Sequence, residues 1–177
     1  MLPEQDEGDG ISEAREPAGM LWLHCTARLA ESLGVERMPA PDVDGLDWLD
    51  FWYVRDVPLP LSLDALLFTN AATLYSLVHP FDRRERVDRI AAVFRTRLQQ
   101  VAGDAAAGRS GAFRICRTAS RRVVGCMNEL AFTIAYETEH RDEDRGFRFE
   151  AIENRLNEGV VGGLFPVAEF RKRLEEC

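Results

Sequence analysis

The residues that invite chemistry lie in one stretch, Arg114-Ile115-Cys116-Arg117-Thr118-Ala119-Ser120-Arg121-Arg122-Val123-Val124-Gly125-Cys126-Met127-Asn128-Glu129. It reads as a strand, a polar cap and a helix that opens on two arginines. Ser120 suits an N-cap, its hydroxyl accepting a backbone N–H of the first turn. Arginines just inside a helix start oppose the macrodipole, so helix formation does not account for them. Thr118, Ser120, Arg121 and Arg122, with the first-turn N–H groups, are therefore candidates for holding a phosphate or carboxylate. The plainer reading makes Ser120 only a cap, the arginines solvated or ion-paired, and Gly125 a point of close packing on a sheet. Adjacent helical residues point about 100° apart. One arginine would face a ligand, and Arg122 is the choice.

Two polar residues follow. Asn128 falls near the apolar Val124/Met127 stripe, where a partly buried, hydrogen-bonded structural role is expected. Glu129 is a candidate general acid or base without a partner visible in sequence. Arg122, Asn128 and Glu129 together frame an alternative, a hydrolase or nuclease site. Against it, the chain has no Gly-x-Ser-x-Gly elbow and no His-Glu-x-x-His. These absences lean the reading away from an enzyme. Asp42, Asp44, Asp47 and Asp50 lack the twelfth-position Glu and the flanking helices of a calcium loop, so no metal is expected there. Gly159-Val160-Val161-Gly162-Gly163 lacks the lysine of a phosphate loop and follows a helical segment rather than a strand. No cofactor is expected.

The elements around these residues read as follows. Residues 1–19 carry six acids and one base without periodicity, as expected of a disordered acidic tail. Order is expected from Met20, which is itself a possible native start, and residues 20–177 form one domain. Leu21 to Thr26 is strand-like, and Thr26 is placed to cap a short helix, Ala27 to Leu33, that Gly34 stops. Trp48 to Val54 is a strand that Pro58 and Pro60 break. Leu66 to Thr69 and Thr73 to Val78 form a hairpin turned at Asn70. Asp82 caps a helix whose face carries Val87, Ile90, Ala91, Phe94, Leu98 and Val101. Gly103 to Gly111 is a loop, and Phe113 and Ile115 alternate as a strand. The Ser120 helix runs to about Thr138 and Arg141 to Gly146 is a charged loop. Helices over Phe149 to Asn157 and from Pro166 close the chain, the last with Val167, Phe170 and Leu174 inward. The class is α+β: a mainly antiparallel sheet of four to five strands with two long and several short helices.

The chain of 177 residues is long enough for a core without staples. Cys25, Cys116, Cys126 and Cys177 form no Cys-x-x-Cys pair, and His24, His79 and His140 are scattered, so reduced thiols and no zinc site are expected. Cys25 and Cys116 are expected in the core, and His24 and His79 in structural roles. No apolar run reaches the ~18 residues of a membrane span and no secretory signal opens the chain, so a cytoplasmic protein is expected. The net charge of −8 argues against bulk nucleic-acid binding. The segment from Asp82 to Arg122 holds eleven arginines and four acids, a local balance of +7. Asp82, Glu85 and Asp88 interrupt it, as in a solvated helix face.

From Met20 on, the chain resembles a family of small bacterial cytoplasmic proteins classed as a domain of unknown function. The resemblance rests on Met20-Leu21-Trp22-Leu23-His24-Cys25-Thr26, on the Trp48 strand with Leu67-Phe68-Thr69-Asn70, and on Leu156-Asn157 with Gly163-Leu164 and the last helix. Its most specific part is Thr118 to Asn128, which looks like a T-x-x-R-x-V-x-G-x-M-N pattern. It implies a common fold and no activity. The function classes left open are a binding domain for an anion, nucleic-acid element or partner protein, the hydrolase or nuclease above, and one member of a plasmid-maintenance, stress or phage-defence pair.

Overall fold

Parallel and antiparallel pairings share one sheet in the computed structural model, which describes residues 20–42, 47–60, 64–107, 109, 113–140 and 148–177. The expected tail and the Arg141 loop lie outside the described residues. Five strands, β1 (Leu21–Cys25), β2 (Phe51–Pro58), β3 (Asp64–Asn70), β4 (Ser76–Phe81) and β5 (Phe113–Arg117), stand in the order β4-β3-β2-β1-β5. β2–β3 and β3–β4 are antiparallel, whereas β1 pairs in parallel with both β2 and β5. The fold is α+β, with a mixed rather than mainly antiparallel sheet. The reason is chain order: α1 (Ala27–Leu33) carries the chain from β1 to β2, and α2 (Val87–Ala102) carries it from β4 to β5. A parallel neighbour requires such a crossover.

Strand alternation separates two cores. Leu21, Leu23, Cys25, Trp52, Val54, Leu66 and Phe68 meet α1, α2 and α5 (Pro166–Glu175) on one face. Tyr53, Val57, Ala65, Leu67 and Val78 meet α3 (Arg121–Glu139) and α4 (Phe149–Glu158) on the other. Cys25, Cys116 and Cys126 are buried thiols, as core residues are, and Cys177 is exposed. Burial pushes the Cys25 thiol up to about 12, so it stays protonated.

Several boundaries differ from expectation. A 3-10 turn at Trp48–Asp50 precedes β2, which runs through Pro58. Pro58 closes the strand instead of breaking it early, because a strand end tolerates the missing N–H. Thr73 belongs to the turn: Asn70 Oδ1 accepts from Ala72 N, Thr73 N and Thr73 Oγ1 at 3.0–3.1 Å. Asp82 does not cap α2. It accepts from Arg84 N in a separate turn, and Arg86 holds the N-cap place. Gly103–Ala106 is a 3-10 turn rather than a loop. Along the last helix Phe170 is buried while Val167 and Leu174 are half-buried.

Candidate functional site

Chain connectivity singles out the carboxyl ends of β1 and β5. The two strands are adjacent and parallel, and Cys25 pairs with Arg117. Thr26 and Thr118 thus leave the sheet side by side. From there β1 feeds α1, on the face of Leu23 and Trp52, while β5 feeds α3, on the face of Tyr53 and Leu67. Neighbouring parallel strands whose chains depart to opposite faces open a crevice beyond their carboxyl ends, the place where open sheets hold ligands.

Hydrogen bonds fix this crevice. His24 Nδ1 lies 2.8 Å from the carbonyl oxygen of Arg117. That carbonyl can only accept, so the ring is held with Nδ1 protonated. His24 stacks on Tyr53 with centroids 4.6 Å apart, and the Tyr53 hydroxyl accepts from Ser120 N at 2.9 Å. Burial lowers the His24 pKa and outweighs the Arg117 carbonyl, which acts the other way, so the imidazole is neutral near pH 7. Ser120 also caps α3, its hydroxyl accepting from Val123 N at 3.3 Å. Across the end of β5, Met38 N donates to Ile115 O and Arg117 N to Met38 O. From this added rung Arg37 Nη1 reaches the Cys25 carbonyl at 3.2 Å.

Cations gather here. Arg28, in the first turn of α1, bonds Asp56 at 3.0 Å. Arg55 donates to Asn128 Oδ1 and is half-buried, and burial lowers its pKa, with Arg28 adding to the effect and Asp56 opposing it. Arg117 is exposed at the strand end. The Thr26 hydroxyl oxygen is buried without a hydrogen-bond partner; Thr26 stands at the N-cap of α1 yet makes no side-chain cap.

The structure brings Thr118 and Ser120 to this crevice and spreads the other sequence candidates. Arg122 leans the other way, its Nη2 donating to Gly162 O at 3.3 Å. Arg121 is exposed on the outward side of α3. Asn128 is exposed rather than buried, because it flanks the helix where Arg55 reaches it. Glu129 is exposed, and its carbonyl takes the Thr133 hydroxyl at 3.1 Å. Arg122 and Asn128 stand about 120° apart around the helix axis. Gly125 is exposed with no atom within 4 Å of an added Cβ, so it does not pack on the sheet. Of the acidic loop, Asp50 and Asp47 pair with Arg109, and Asp47 also caps the 3-10 turn. No group of three or more metal-ligating side chains is found among the described residues.

Sequence reasoning missed Thr26 as an unpartnered hydroxyl, and missed Arg28, Arg37 and Arg55. The available signal was two N-cap residues, Thr26 and Ser120, each within three residues of the end of a short strand.

A family model for a domain of unknown function, DUF6933, matches residues 22–166. The chain belongs to this family. No curated protein and no solved structure matches it. The DUF6933 match contains every residue of the crevice and stops at the first residue of α5. No helix among the described residues is long and apolar enough to cross a membrane.

Proposed function

We propose that this DUF6933 chain is a binding domain for an anionic group, a phosphate or carboxylate, in the crevice beyond β1 and β5. One observation carries the reading: two hydroxyl-bearing helix starts emerge side by side from parallel strands, and the Thr26 hydroxyl there is buried without a partner. A buried hydroxyl left unpaired costs folding free energy, so its retention points to a ligand that completes it. Arg37 and Arg117 supply charge from the two flanks, and Thr118 and Ser120 supply polar contacts. Arg122 enters the site only by releasing Gly162.

Titration of pyrophosphate and of a phosphomonoester panel by calorimetry at low salt tests the proposal. Each of Arg37→Gln and Arg117→Gln is expected to weaken binding about tenfold, the value of one charge-assisted hydrogen bond. Arg122→Gln is expected to change it less. Equal affinity in wild type and in the Arg37/Arg117 double variant overturns the reading.

A further inference from the structure

The charges of α3 run against its own dipole at both ends. Its first turn holds Arg121 and Arg122 and no acid; its last turn holds Glu137 and Glu139 and no base. A helix gains from the reverse arrangement. Two of the four are explained inside the chain. Arg122 rests on the Gly162 carbonyl, and Glu137 takes Arg155 at 2.5 Å. Arg121 and Glu139 make no ion pair among the described residues, and both are exposed.

Between these ends lies a seam, exposed except at Ala135, which is half-buried against the core. Arg121, Gly125, Asn128, Phe132, Ala135 and Glu139 follow one another at alternating spacings of four and three, the repeat by which two helices pack along a common line. Phe132 is 73% exposed and Tyr136, beside it, 53%. Their rings stack in series with His140, at 6.4 and 4.1 Å between centroids. Two large aromatics side by side on an exposed helix face form an apolar patch of the kind that marks an interaction surface, and residues 121–139 offer a line about 28 Å long.

We propose that this seam is a self-association surface on which two copies of the chain pair their α3 helices antiparallel about a two-fold axis. The occupant follows from the charges. An antiparallel second copy sets its Glu139 against Arg121 and its Arg121 against Glu139, satisfying both at once. The same register sets Gly125 against Ala135, so the backbones approach closely, and sets Phe132 against Asn128. Tyr136 flanks the seam and widens it. A two-fold contact presents the same patch from each side, so the seam must complement itself, and it does. The pairing is distinct from the anion crevice: Arg121 is exposed on the outward side of α3, and Asn128, which takes Arg55, is the seam residue that touches the crevice's cations.

Sedimentation velocity of the full chain over rising concentration tests the pairing. A single helix pair lies at the small end of specific interfaces, so dissociation in the range of about 1–100 μM is expected. Gly125→Gln has open space in the protomer. It should keep the melting temperature and abolish the dimer. Arg121→Glu and Glu139→Arg each suit the helix dipole better than the native residues. Each alone should weaken the dimer at least about tenfold, and together they should restore it. A chain that stays monomeric up to ~1 mM overturns the proposal. So does a dimer indifferent to Gly125→Gln, or one that the paired charge reversal fails to restore.

Discussion

The sheet ends differently at its two flanks. At β4, α4 lays two side chains along the outer backbone. Asn157 Oδ1 accepts from Ser76 N and its Nδ2 donates to Ser76 O, both at 2.7 Å. One turn earlier, Glu153 Oε2 accepts from Val78 N at 2.8 Å, while Arg97 holds both carboxylate oxygens at 2.7–2.8 Å. An edge strand that would template aggregation is closed by a helix imitating a neighbouring strand. At the carboxyl ends of β1 and β5 the polar groups are left open instead: a buried Thr26 hydroxyl without a partner and an exposed Arg117. The Asn157 carboxamide and the Glu153 carboxylate at β4 answer to other groups of the chain. The Thr26 hydroxyl at the crevice does not, which is why the crevice, and not the more polar β4 edge, reads as a binding site.

Deleting the closing carboxylate makes the strongest attack on this contrast. Glu153 is buried, and burial raises its pKa against the pull of the Val78 N–H and Arg97. Glu153→Ala leaves the Val78 N–H and the Arg97 guanidinium facing a gap. The expected cost is about 3–5 kcal/mol in urea unfolding, as for one partner removed from a buried pair. Glu153→Gln keeps an acceptor for Val78 and should cost less. If alanine costs under ~1 kcal/mol, water replaces the carboxylate and the β4 edge is as open as the crevice.

A middle-sized effect joins the crevice to pH. His24 is buried and neutral, with its folded-state pKa below the 6.5 of a free imidazole. A depressed folded value means that this group's contribution is fully present above pH 6.5 and is lost as pH falls through the folded value. His79 adds a loss of the same sign, through burial and the nearby Arg97 and Arg89. Stability between pH 6.5 and 5 should therefore fall on acidification, by up to about 1.4 kcal/mol per pH unit for each proton taken up. His24→Gln should flatten that slope in part, with His79 keeping the rest. An unchanged slope would show that His24 charges without leaving its place between Tyr53 and the Arg117 carbonyl.

Local signals in the chain found local structure. The Ser120 cap, the Asn70 turn, the Gly34 stop and the Pro166 helix start all stand where residue chemistry puts them, because each depends on neighbours within four positions. Pairing partners far apart in sequence left no such trace. Nothing in Leu21–Cys25 says that it pairs in parallel with both Phe51–Pro58 and Phe113–Arg117. The crevice, being a product of that pairing, was visible only at its β5 side, as Thr118 and Ser120. Glu153 carried no signal in the sequence, since its partners Val78 and Arg97 lie 75 and 56 residues away. Asn128 was misjudged for a related reason: its place beside the apolar stripe suggested burial, but the strand residue opposite it is Arg55, which meets it at the surface.

The finest test of the contrast lies at Thr26. Its hydroxyl neither caps α1 nor finds a buried partner, so Thr26→Val removes an unsatisfied polar atom while keeping the side-chain shape. The chain should lose no stability and should gain up to about 1 kcal/mol, unlike the β4 edge, where each deleted polar group leaves another unpaired. Anion affinity should nevertheless fall by roughly three- to tenfold, because the hydroxyl donates to the bound group. The two readouts together are decisive. A large stability loss with unchanged affinity would make Thr26 a structural hydroxyl serving the fold through water, and the β1–β5 end would then be finished like the β4 edge. Little stability loss with lost affinity is the signature of a residue retained for its ligand.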